Sequence, residues 1–78
     1  MTMIVDARGY RCPVPSLKLQ KAMRNVGPAT TLTLLATDPM ARIDVPFLMS
    51  DQGGKVVSIE DIAGTLHITV ETRAAPQD

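Results

Sequence analysis

Two prolines set one residue apart, Pro13 and Pro15, constrain this chain more than any other feature. A proline fixes φ and carries no N–H, so it breaks a helix interior, yet in a first turn it removes only donors that have no intrahelical partner. A helical period follows directly: Leu19, Ala22, Met23 and Val26 recur at i, i+3, i+4 and i+7, with Lys18, Lys21 and Arg24 on the other side. The prolines therefore mark where an amphipathic helix begins, with Pro13 at its first position, and Gly27-Pro28 stops it. Before them, residues 2–7 form a short β-rich run ended by Gly9, a turn residue suited to positive φ.

The rest of the chain reads as one more helix and three more strands. Residues 30–37 (TTLTLLAT) place Leu32, Leu34 and Ala36 on one face of a strand. Asp38-Pro39 opens a turn. A helix running from Pro39 would hold Pro46 in its interior, at a cost of about 3 kcal/mol or more. The expectation is therefore a turn followed by a short helix, Asp44 to Asp51, capped by Asp44. Gln52-Gly53-Gly54 breaks it, residues 55–62 read as a strand, and Ala63-Gly64 turns into a last strand in which Leu66, Ile68 and Val70 alternate with His67, Thr69 and Glu71. The predicted fold is α/β: a two-layer sandwich, βαβαββ, with a mixed four-stranded sheet and both helices on one face. Residues 1–78 are read as a single domain, with residues 73–78 a loose polar tail.

Composition narrows the function classes. Eight basic and eight acidic residues give a formal charge of zero, which argues against a nucleic-acid binder working by bulk phosphate neutralisation. One cysteine cannot form an internal disulfide, no apolar stretch is long enough to span a bilayer, and the N-terminus lacks the pattern of a signal peptide, so the expected location is the cytoplasm. No cofactor, metal or membrane contact is expected.

The chemistry then rests on Cys12, at the predicted helix start. If Cys12 is the N-cap, the Val14 N–H lies within reach of the sulfur, and Arg11, Arg8 and Lys18 are candidate neighbouring cations. The helix dipole contributes about 0.3–1 kcal/mol to a surface anion, whereas moving a thiol from about 8.5 to about 7 takes roughly 2 kcal/mol. A hydrogen bond and those cations would have to supply the remainder, giving an exposed, moderately activated thiolate. There is no second cysteine for an internal redox cycle, and the only histidine, His67, is predicted on a distant strand. A thiol that accepts a group from one protein and yields it to another requires neither.

The stretch Asp6-Ala7-Arg8-Gly9-Tyr10-Arg11-Cys12-Pro13-Val14-Pro15 resembles the signature of the TusA/SirA sulfur-carrier family, and Thr37-Asp38-Pro39 with Ile43-Asp44-Val45-Pro46 is similar to that family's segment after the second strand. The likeness spans residues 3–72. Tyr10 stands where an aliphatic residue is usual, and Leu48 where many members carry a second cysteine. The resemblance implies that Cys12 carries a persulfide, taken from a cysteine desulfurase or another sulfur donor and passed to an acceptor protein, in tRNA thiolation, molybdenum-cofactor or sulfur-oxidation chemistry. The chain would then be a sulfurtransferase-type carrier serving partner enzymes rather than a complete enzyme. Asp6, Arg8, Gly9, Arg11, Pro13, Val14 and Pro15 would support the thiol loop, with Lys18 and Lys21 a docking surface for an acidic partner. The alternatives are a small regulatory or RNA-binding module, whose architecture this one also resembles, and a single-thiol redox sensor.

Overall fold

The computed structural model of the chain describes residues 3–73. Its elements run β1 (Met3–Ala7), α1 (Val14–Arg24), β2 (Thr31–Ala36), α2 (Ala41–Asp51), β3 (Lys55–Ile62) and β4 (Thr65–Glu71). The sheet order is β1-β2-β4-β3, with β1 parallel to β2 and β4 antiparallel to both of its neighbours. This is the expected βαβαββ arrangement and a mixed sheet. The segments carrying α1 and α2 step across the sheet in the same direction, and right-handed crossovers of that kind put both helices on one face. There they pack on the strands and on each other.

Alternation along the central strands builds the core. Leu32, Leu34 and Ala36 of β2 and Leu66, Ile68 and Val70 of β4 face the helices, which contribute Leu19, Ala41, Val45 and Met49. Thr33 and Thr69 lie on the opposite face, their hydroxyl oxygens 3.2 Å apart across the strands, and His67 shares that face, between Leu35 and Glu60. The β3–β4 hairpin turns at Ala63 and Gly64, both at positive φ, with the Gly64 N–H donating to Asp61 Oδ1. No helix among the described residues is long and apolar enough to cross a membrane.

Both helices depart from expectation at their ends. Asn25 closes α1, its N–H donating to the Ala22 carbonyl while the Val26 N–H donates to that of Met23, so the helix stops before Gly27-Pro28. At the other end Pro13 is the N-cap and Val14 the first helical residue. α2 does not begin at Asp44: it starts at Ala41 and holds Pro46 in its interior. Ala41, Val45 and Met49 form a buried i, i+4, i+8 row against the sheet. Burying Val45 and Met49 contributes about 1.5–3 kcal/mol each, which offsets the roughly 3 kcal/mol cost of the proline. Asp38, not Asp44, serves the helix start, as its Oδ1 accepts the Met40 N–H and its carbonyl the Ala41 N–H. At the first residue of the expected loose tail the Arg73 carbonyl accepts the Ala29 N–H at 2.9 Å, while residues 74–78 lie outside the described residues.

Candidate functional site

Parallel pairing in the register Ala7↔Ala36 brings the ends of β1 and β2 to the same edge of the sheet, so the two following loops emerge side by side. The β1–α1 loop carries Cys12 and the β2–α2 loop carries Asp38. They are laced together: the Cys12 N–H donates to Asp38 Oδ2 at 2.8 Å, and the Gly9 N–H donates to Thr37 Oγ1 at 2.9 Å. Gly9 has φ +84°, the region in which a side chain is strained, and the Tyr10 N–H closes a turn onto the Ala7 carbonyl.

The thiol's surroundings differ from those expected from sequence. Cys12 is half-buried rather than exposed, and it is not the N-cap. The Val14 N–H donates to the Arg11 carbonyl at 2.9 Å, leaving it unavailable to the sulfur. The cations are engaged elsewhere. Arg8 forms a bidentate pair with Asp6 (Nε–Oδ1 2.9 Å, Nη2–Oδ2 2.8 Å), Lys18 Nζ stands 4.6 Å from the centre of the Tyr10 ring, and Arg11 acts on Asp38. What faces the sulfur is acidic. Burial, a hydrogen bond to Asp44 and the negative charges of Asp44 and Asp38 push the Cys12 thiol up to about 12. The expected activated thiolate is therefore corrected: at neutral pH the free chain presents a protonated thiol.

Asp38 and Asp44, read from sequence as turn and cap residues, thus belong to the site. Their signal was present only as spacing, since a loop contact between residues 12 and 38 depends on the sheet register. The backbone N–H groups of Met40 and Cys12 hold the Asp38 carboxyl below its usual value. Asp6, the next-to-last residue of β1, pairs with Arg8, which holds its carboxyl down to about 2. Pro13 and Pro15 bracket Val14 at the helix start, with Pro15 fully buried against the core. On α1, on the side of Val5 and Asp6, Lys21 is exposed and Lys18 half-buried. Pro13, Leu17, Phe47 and Leu48 line a groove of about 380 Å³ between α1 and α2. Among the described residues no three His, Cys, Asp or Glu side chains converge as metal ligands.

A buried-edge thiol on a braced loop, flanked by carboxylates, can exchange a covalent sulfur with another protein's cysteine. Residues 3–72 match the family described as Sulfurtransferase TusA. The chain is 34% identical over 71 residues to "Sulfur carrier protein TusA" of Pseudomonas paraeruginosa, covering 91% of this chain and 90% of the relative. It is 32% identical to the protein of the same name from Pseudomonas putida, covering 91% and 89%. The crystal structure of a SirA-like protein from Desulfitobacterium hafniense superposes with a TM-score of 0.81 at 23% identity, covering 94% of this chain and 99% of that one, which supports the fold. On the extent of the family match and the identity to its members, the chain belongs to the TusA family of sulfur carriers.

Proposed function

We propose that Cys12 is the residue that carries sulfur, loaded from a cysteine desulfurase or another persulfide donor in the cytoplasm and unloaded onto an acceptor protein. The observation that carries this reading is the position of the only cysteine: on a loop held to the β2–α2 junction by Asp38, at the rim of the sheet, where another protein's active site can reach it. In loading, the Cys12 sulfur attacks the terminal sulfur of the donor's persulfide. The new Cys12 S–S bond forms as the donor's S–S bond breaks, the donor cysteine leaves as thiolate, and the proton of Cys12 passes to a base in the complex. Sulfane sulfur moves without net oxidation. Unloading is the same step with the acceptor's cysteine as nucleophile. tRNA thiolation, molybdenum-cofactor maturation and sulfur oxidation are the acceptor pathways consistent with such a carrier.

Asp6, Arg8, Gly9, Arg11, Pro13, Val14 and Pro15 shape the thiol loop in this reading, and Lys18 and Lys21 offer positive charge to an acidic partner. The test is incubation with a cysteine desulfurase and cysteine, followed by intact-protein mass spectrometry. Single-sulfur increments on the wild-type chain that vanish in Cys12→Ser are expected; a wild-type chain that gains no sulfur from desulfurase or from inorganic polysulfide would overturn the reading.

A further inference from the structure

Three of the most exposed large apolar side chains gather on the outer sides of α1 and α2: Phe47 is 77% exposed, Ile43 one turn before it 63%, and Leu17 of α1 55%. Phe47 is the chain's only phenylalanine, and the core is complete without it. Leu17 and Phe47 meet Pro13 and Leu48 in the groove between the helices, so the residue that follows the thiol also forms part of that groove. An opening of about 380 Å³, at the small end of the range for ligand sites, has room for one or two side chains of a protein. The groove is also acidic: Asp44 and Asp51 line it, and neither forms a salt bridge among the described residues.

We propose that this groove docks a basic amphipathic segment of the protein that exchanges sulfur with Cys12, an apolar side chain entering between Leu17 and Phe47 while lysine or arginine side chains meet Asp44 and Asp51. The proposal rests on the sulfur-carrier reading for the partner's identity, while the groove's chemistry stands by itself. Charge complementarity selects this occupant. A second copy of the chain in an isologous pair would set the same carboxylates against each other, and an anionic lipid surface would be repelled by them. The same docking brings positive charge to Asp44, whose negative charge opposes ionisation of the thiol, so the partner that covers the groove also eases the ionisation of Cys12.

The test is a titration of the isotope-labelled full chain, followed by NMR, with a synthetic lysine/leucine amphipathic peptide and with its glutamate/leucine counterpart. The lysine peptide is expected to shift the resonances of Leu17, Phe47 and Leu48, and the glutamate peptide to leave them in place. Phe47→Ser, a change at an exposed position, weakens the lysine peptide roughly tenfold or more, and Asp51→Lys reverses the charge preference. Equal response to both peptides, shifts mapping elsewhere, or shifts that appear on concentrating the chain alone would each overturn the proposal, the last in favour of self-association. Because this readout involves no sulfur, its failure leaves the loading experiment on Cys12 intact, and failure of that loading leaves the groove standing.

Discussion

The Asp38 carboxylate spans two elements: Oδ2 accepts the Cys12 N–H at 2.8 Å and Oδ1 accepts the Met40 N–H at 2.9 Å. One side chain thereby holds the thiol loop and opens the turn into α2. Asp38→Ala removes both acceptors and is expected to lower Tm by several degrees while leaving the fold intact. Amide hydrogen exchange at Cys12 should accelerate by roughly tenfold, because that N–H loses its partner. Unchanged exchange at Cys12 would show that the loop is held by other contacts.

A thiol at about 12 reacts slowly with alkylating agents, because the thiolate is the nucleophile. At pH 8 the iodoacetamide rate of Cys12 should lie roughly a hundredfold or more below that of a free cysteine, whose thiol titrates near 8.5, and should still be rising above pH 10. Asp44→Asn removes the negative charge and is expected to raise the rate at pH 8. The same shift has a consequence for stability. Between the ordinary value of about 8.5 and about 12, the folded chain keeps a proton that the unfolded chain has lost, so stability falls as pH rises through that window. Urea unfolding of wild type and Cys12→Ser should therefore diverge in slope above about pH 9; parallel profiles would contradict the shift.

The layout of elements was legible because it depends on local period and punctuation. Alternation at Leu66, Ile68 and Val70 and the apolar row from Leu19 to Val26 needed no tertiary information. The start of α2 was not legible, since Pro46 argues locally for a later start and only the sheet reveals that Ala41 and Val45 are buried in one row. Cys12 stood out from the sequence, but its surroundings were misread. Arg8 and Arg11 are its neighbours in sequence, but Asp38 and Asp44 are its neighbours in space, through the parallel register of β1 and β2. Charges near in sequence suggested activation; the charges brought near by the fold oppose it.

Gly54 is required by close approach rather than by its dihedral angles. A Cβ there would fall against the Met49 side chain and the Glu71 carbonyl, and the Gly54 N–H already donates to the Met49 carbonyl at 2.9 Å. The methionine end can move aside, but the backbone of β4 cannot without disturbing its pairing. Gly54→Ala is therefore expected to destabilise by about 2 kcal/mol or more, an overpacking cost. Equilibrium urea denaturation measures it, and a loss below about 0.5 kcal/mol, the level of an ordinary surface change, would show that α2 and β4 have slack at this junction.

The Asp6–Arg8 pair closes the end of β1 through three contacts, from the Arg8 backbone N–H and two of its guanidinium nitrogens. The side-chain hydrogen bond is the largest cause holding the Asp6 carboxyl at about 2 instead of 3.8. Since the folded value lies below the unfolded one, the contribution of the pair is present above pH 3.8 and is lost as pH falls through about 2. Arg8→Gln should move the Asp6 midpoint, followed by carboxyl carbon NMR, most of the way back to the ordinary value. Because both side chains are more than half exposed, the substitution should change stability at neutral pH by less than the error of a melting experiment. If the midpoint stays low without the guanidinium, the backbone N–H of residue 8 holds the carboxylate alone, and the arginine is free to turn toward whatever approaches the thiol loop.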